Sequence, residues 1–201
     1  MGSRRFTRTA PRCPQCDRLA VVCVCHDAPV MRLRTRLCVV VHYREAGKTT
    51  NTGTVAARLV EGSSVIVHSQ AYQPAPEPDF SGRRPLVLFP SEQAEVLTAE
   101  HGRDLPVTLV VPDGSWSQAR RMHRRVSWMS KLAHVTLPPS ERRTAYLLRR
   151  SDREGGLATM EAIARALGIL EGEAVENELE RVFGLLVTRT LAARGTPLAS
   201  G

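Results

Sequence analysis

Val107-Thr108-Leu109-Val110-Val111-Pro112-Asp113-Gly114-Ser115-Trp116-Ser117-Gln118-Ala119-Arg120-Arg121-Met122 is the stretch on which the reading of the fold turns. Residues 107–111 are an almost unbroken apolar run, the pattern of a strand covered on both faces. Pro112 predicts the end of that strand, and Ser115 predicts the cap of a helix over 115–126. The same alternation extends outward in both directions. Apolar runs at 37–41, 65–67 and 86–89 read as strands, with a shorter one at 134–137. Val55, Leu59 and Val60 recur at helical spacing in residues 54–60, with Asn51 as the cap. Ser91-Glu92-Gln93 predicts another helix start, Ser capping and an acid in the first turn. Residues 157–170 and 175–193 read as two amphipathic C-terminal helices, and residues 73–85, with Pro74, Pro76, Pro78 and Pro85, as a surface loop. Strands and helices in this order specify an α/β fold, a mostly parallel sheet flanked by helices.

The 201 residues suffice for one sizeable core. No apolar run approaches the roughly 18–20 residues of a membrane-spanning helix. Residues 1–11 are basic but lack the apolar centre of a secretory signal, so a soluble, cytoplasmic chain with no membrane partner is expected. The 28 basic side chains exceed the 20 acidic ones, for a net charge of +8, and all but Lys48 and Lys131 are Arg. That balance points to a polyanionic partner or to mere solubility, and only clustering decides between them. A Gly-x-x-x-x-Gly-Lys-Ser/Thr phosphate loop, a Gly-x-Gly-x-x-Gly fingerprint and a Gly-x-Ser-x-Gly nucleophile elbow are all missing, which counts against NTPase, NAD enzyme and serine hydrolase.

Cys13-x2-Cys16-x6-Cys23-x-Cys25 places four thiols within thirteen residues. In a reducing compartment this spacing reads as the ligand set of a structural Zn2+, with a redox pair or unliganded thiols as the alternatives. Four thiolates would fill a tetrahedral shell and leave no position open for chemistry. Cys38, alone in an apolar run, reads as a small core residue. The expected organisation is a zinc-binding segment at 1–30, a catalytic domain at 31–195 and a disordered tail at 196–201.

An acid just past a buried strand and before a helix sits where α/β sheets bind ligands. Asp113 is therefore either a functional carboxylate or a simple cap for the helix that follows. On that helix Arg120 and Arg124 stack one turn apart, as do Arg121 and Arg125, with no acid between Asp113 and Glu141 to neutralise them. The set reads as a nucleic-acid contact, to which Asn51 is added, or as a solvated face. Gly155-Gly156 ahead of a helix leaves amide donors free for a ligand, with Thr159 and Glu161 beside it. Alternatively Glu161 serves only the helix dipole.

Taken together, the cysteine cluster, Asn51-Thr52-Gly53, Leu88-Phe89-Pro90-Ser91-Glu92, Asp113-Gly114-Ser115-Trp116 and Glu154-Gly155-Gly156-Leu157-Ala158-Thr159-Met160-Glu161-Ala162 resemble the DTW-domain family of tRNA-uridine aminocarboxypropyltransferases. The name motif Asp-x-Thr-Trp carries Ser115 in place of Thr, and Ala158-Thr159 stands for Ser-Thr. The resemblance implies a SPOUT-like fold with a C-terminal knot and S-adenosylmethionine as donor. It further implies transfer of the donor's 3-amino-3-carboxypropyl group to N3 of a tRNA uridine. The alternatives are an S-adenosylmethionine-dependent RNA methyltransferase and a zinc-braced RNA-binding module without catalysis. The resemblance assigns catalysis to Asp113, Ser115 and Trp116, with Ser115 holding the geometry of Asp113. Donor contacts fall to Leu88, Phe89, Pro90, Asp113, Gly114, Trp116, Tyr146, Leu147 and Thr159, and Arg120 or Arg150 takes the donor carboxylate. RNA contacts fall to Asn51, Arg120, Arg121, Arg124 and Arg125, and the chain is expected as a monomer or homodimer.

Overall fold

Strands β1 (Arg36–His42), β2 (Ser64–His68), β3 (Arg84–Leu88), β4 (Glu95–Val96), β5 (Val107–Asp113) and β6 (Ala133–Thr136) form one sheet in the order β2-β1-β5-β3-β6-β4. Every pairing is parallel. The computed structural model describes residues 10–68, 75–140, 144 and 156–195. Four helices, α1 (Gly53–Leu59), α2 (Trp116–Arg125), α3 (Thr159–Glu171) and α4 (Glu173–Arg194), cover the sheet. Among the described residues no helix is long and apolar enough to cross a membrane.

Side-chain alternation along the central strands divides the interior in two. Leu37, Val39 and Val41 of β1, with Leu109 and Val111 of β5, pack against α1, α3 and α4. Cys38, Val40 and Val110 point the other way, onto Ala119 and Met122 of α2 and onto Trp128 and Met129. Cys38 is thus a core residue, and helices lie on both faces as the apolar strand pattern implied.

Two local expectations are corrected. Pro112 does not end β5: the strand runs on to Asp113, with Val40 opposite Pro112 and Val41 opposite Asp113. The pairing with β3 stops at Val110, so Pro112 lies where β5 has one neighbour strand instead of two. Ser91 caps no helix. Its carbonyl accepts the Ala94 amide in a turn, and the chain then adds β4 beside β6, Glu95 opposite Val135 and Val96 opposite Thr136. A two-residue strand carries no period that a sequence pattern could register. The segment joining β6 to α3, on which a C-terminal knot would depend, lies largely outside the described residues, as does the 196–201 tail.

The far end of the helical layer is tied to the sheet by one carboxylate. Glu171, the last residue of α3, accepts the Thr35 amide at 2.8 Å and the Thr35 hydroxyl at 2.5 Å through Oε1, and the Arg34 amide through Oε2. These bonds fix the entry to β1. Glu171→Ala is expected to cost about 1–3 kcal/mol in denaturant unfolding, because it strands the buried Thr35 donors. A change within 0.5 kcal/mol would remove this role.

Candidate functional site

All the strands of a parallel sheet end on one rim, and here that rim collects the residues that sequence analysis singled out. Asp113 closes β5 and is only 5% exposed. Its Oδ1 accepts the Thr159 hydroxyl at 2.5 Å, and its Oδ2 accepts Asn51 Nδ2 at 2.5 Å. The carboxylate thereby joins β5, the loop entering α1 and the first residue of α3. Gly53 permits this closeness, since a Cβ there would stand 2.7 Å from Asp113 Oδ2 and 3.0 Å from Thr159 Cγ2. Thr52 adds a further tie, its hydroxyl accepting the Met160 amide at 3.2 Å.

Asp113 is therefore not the cap of α2. That role belongs to Ser115, whose Oγ accepts the Gln118 amide while Gln118 Oε1 accepts the Ser115 amide at 2.7 Å. The expectation that Ser115 holds Asp113 is corrected accordingly: its hydroxyl meets Gln118 and Ser117, and Asn51 and Thr159 hold the acid. Asn51 is corrected too. At 3% exposure it offers no surface to RNA; Nδ2 is committed to Asp113 and Oδ1 to the amide and hydroxyl of Thr54. Glu161 takes its helix-end reading, with Oε2 accepting the Ala158 amide at 2.7 Å and the Thr144 hydroxyl at 2.6 Å.

Beside the carboxylate opens a cavity of about 240 Å³, lined by Leu88, Phe89, Pro90, Gly114, Trp116 and Thr159 together with Val111, Pro112, Ala119, Thr136, Leu137, Leu157 and Ala162. Six of the expected donor-binding residues thus share one mostly apolar wall. Trp116 lies 6.4 Å from Phe89, ring centre to ring centre, and His123 stacks on Phe89 at 5.0 Å. His123 Nε2 meets His134 Nε2 at 2.6 Å, and burial pushes both imidazoles down from their ordinary value. A neutral pair sharing one N–H suits that spacing. Tyr146, Leu147 and Arg150 lie outside the described residues, and Arg120, Arg121, Arg124 and Arg125 are all exposed along α2.

The Sγ atoms of Cys13, Cys16, Cys23 and Cys25 lie within 4.8 Å of one another. Cys16 and Cys23 are 3.7 Å apart, close to the edge of about 3.8 Å that a tetrahedron of Zn–S bonds near 2.3 Å requires. Four thiols so crowded cannot share one protonation state. Hydrogen bonding, chiefly from Cys23, lowers Cys13 to about 6, whereas burial pushes Cys23 and Cys25 up. A divalent cation offsets that conflict by favouring all four thiolates, so these residues fit a structural Zn2+.

Sequence analysis missed what fastens this segment to the site. Arg18, only 6% exposed, donates to the carbonyls of Thr49 and Asn51 and to Thr54 Oγ1 at 3.2 Å. Burial lowers its pKa and the neighbouring Cys16 opposes that effect. On the other side Arg189 of α4 grips Asp27 in a two-pronged pair, Nη1 to Oδ2 at 2.6 Å and Nη2 to Oδ1 at 2.7 Å, and also donates to the Cys23 carbonyl. No local pattern marks Arg18, Asp27 or Arg189, because each meets a partner far away in sequence.

The purified chain is expected to carry one Zn2+, lost in Cys23→Ser and kept in Cys38→Ala; metal analysis well below one ion per wild-type chain would remove the thiolate site. The Arg189 guanidinium holds the Asp27 carboxyl below its ordinary value of 3.8. That contribution is complete above this value and is lost as pH falls through the lowered one. Asp27→Asn should therefore cost roughly 1 kcal/mol at pH 7 for a partly exposed pair, and the gap from wild type should narrow as pH falls below 3.8. A gap that does not narrow on acidification contradicts the pairing.

Several curated relatives carry the name tRNA-uridine aminocarboxypropyltransferase 2. That of Macaca fascicularis is 29% identical over 171 residues, covering 80% of this chain and 57% of the relative. That of Drosophila melanogaster is 26% identical over 168 residues, covering 80% and 66%. The chain thus spans about three fifths of the length of the relatives it matches. Among solved structures, the SAM-dependent rRNA:acp-transferase Tsr3 from Vulcanisaeta distributa aligns at 19% identity and a TM-score of 0.48, over 80% of this chain and 84% of that one. The model of the DTW domain matches residues 10–191, from the cysteine segment into α4, and the chain belongs to the DTW domain family.

Proposed function

We propose that this chain transfers the 3-amino-3-carboxypropyl group of S-adenosylmethionine to N3 of a uridine in tRNA, releasing methylthioadenosine. The observation that carries this reading is a buried, doubly bonded carboxylate set at the carboxyl rim of the sheet beside a largely apolar cavity with an indole in its wall. The names of the relatives supply the substrate and the group transferred.

In this reading the donor occupies the cavity, its adenosine against Leu88, Phe89, Pro90 and Trp116. Three carbons bonded to the sulfonium are electrophilic, and placement alone selects among them. As the N3–C bond forms, the S–C bond breaks and its electron pair stays on sulfur, so methylthioadenosine leaves uncharged. The N3 proton departs to an acceptor or to solvent. N3 lies on the Watson–Crick edge, so the base reacts unpaired or extruded from its stack. Asp113 serves by orienting the N3–H of the incoming base, with Asn51 and Thr159 fixing its plane. Cys13, Cys16, Cys23 and Cys25 would hold a structural zinc, which would brace the loop that carries Asn51 by way of Arg18. Donor and tRNA meet in the cytoplasm, where this reading places the chain.

Incubation with tRNA and S-adenosylmethionine is expected to release methylthioadenosine; S-adenosylhomocysteine would instead mark a methyltransferase, and no donor consumption a binding module. Asp113→Ala and Asp113→Asn should each lower the transfer rate at least about 100-fold while tRNA affinity stays within about threefold. A variant with wild-type rate would exclude Asp113 from the reaction.

A further inference from the structure

A second concavity lies across the first turn of α2 from the donor cavity. Gly114 and Trp116 face the apolar cavity, whereas Ser115 and Ser117 face this cleft of about 290 Å³. Its floor is the rim of the two neighbouring strands, where His42 of β1 stands in register with His68 of β2. Arg44 closes one side and Arg121 and Arg125 of α2 the other. Among the described residues no carboxylate lines it. Glu45, which bears on His42, is already held by Lys48 at 2.7 Å.

We propose that this cleft binds a phosphate of the RNA backbone, held by Arg44, Arg121 and Arg125 with the imidazoles of His42 and His68 and the hydroxyl of Ser117 as further donors. The inference rests on the reading of an RNA substrate and adds which phosphate-binding groups serve it.

Three features support a built site over a solvated face. Arg44 is oriented, its Nε donating to Tyr43 Oη at 2.7 Å and its guanidinium lying 5.5 Å from the centre of the Tyr43 ring. His42 Nδ1 accepts the Arg44 amide at 3.3 Å, which leaves the proton on Nε2 as a donor. His68 Nδ1 is buried and finds no hydrogen-bond partner among the described residues, a costly state that an incoming donor or acceptor would relieve. Burial and the neighbouring cations push both imidazoles down, as befits a strongly positive recess lined by no acid among the described residues.

The position also suits the ligand. Cleft and cavity share the Gly114–Trp116 turn that follows Asp113, so a nucleotide can present its base toward Asp113 and set its phosphate among the arginines. The four arginines of α2 then divide: Arg121 and Arg125 belong to the cleft, and Arg120 and Arg124 do not line it.

The test has two arms on the full, zinc-loaded chain. In the first, the imidazole resonances of His42 and His68 are followed by NMR during titration with inorganic phosphate at constant pH and ionic strength. Saturable shifts in wild type and in Arg120→Gln/Arg124→Gln, abolished in Arg121→Gln/Arg125→Gln, are expected. Shifts that are absent, that survive in the second pair, or that follow S-adenosylmethionine instead of phosphate would overturn the proposal. In the second arm, tRNA binding should weaken at least about tenfold in Arg121→Gln/Arg125→Gln and less than about threefold in Arg120→Gln/Arg124→Gln, with the salt dependence shallower by about 0.7–0.9 for each phosphate no longer neutralised. Equal weakening in the two pairs would overturn it as well. Failure to form methylthioadenosine with both arms intact would strike the transfer reading alone.

Discussion

Sinking the Asp113 carboxylate into the rim of the sheet costs several kcal/mol unless its oxygens are met, and meeting them organises the molecule. Asn51 and Thr159 come from segments more than a hundred residues apart, and each must arrive with its donor aimed at one oxygen. Gly53 lets α1 approach without a Cβ in the way, and Thr52 binds the amide that follows Thr159. One charge thus sets the distances between β5, α1 and α3. The apolar cavity is the space left over when those three elements and α2 are held at their proper separation.

The cysteine segment belongs to the same construction. Arg18 grasps the carbonyls of Thr49 and Asn51 from one side, while Asp27 and the Cys23 carbonyl are held by Arg189 from the other. The four-cysteine turn is the one from which Arg18 projects, and so acts on Asn51 one step removed from Asp113. A cluster that fits a structural metal is in this way connected to the geometry of the rim carboxylate.

The parts legible in sequence were those encoded by local periodicity. The apolar runs of β1, β3 and β5 and the helical spacing of α3 and α4 stand out because each buries one continuous face or both. Leu88, Phe89, Pro90, Gly114 and Trp116 were expected together from the family resemblance, in keeping with the general rule that parallel strands end together. Roles that depend on distant partners were not legible. Asn51 looks like any cap from its neighbours, and only the fold reveals that its amide reaches residue 113. Asp113 could be read as a helix cap because its residue type caps helices as well as Ser115 does, and one residue of extra strand excludes it. Arg18, Asp27 and Arg189 carry no local signature, since an ion pair across the chain leaves no period behind. β4 was missed for the opposite reason, being too short to have one.

The order of the strands carries a consequence for how the chain is made. β5 lies between β1 and β3, so the middle of the sheet stays open until the ribosome has delivered residues 107–113. The cysteine turn is synthesised before the whole sheet, yet its anchor on α4 and the hydroxyl of Thr159 emerge after it. Assembly dominated by such long-range contacts is slow, and a nascent chain would expose the edges of β1 and β3 meanwhile. Early capture of metal by the leading segment would give that waiting chain one ordered piece before its partners exist.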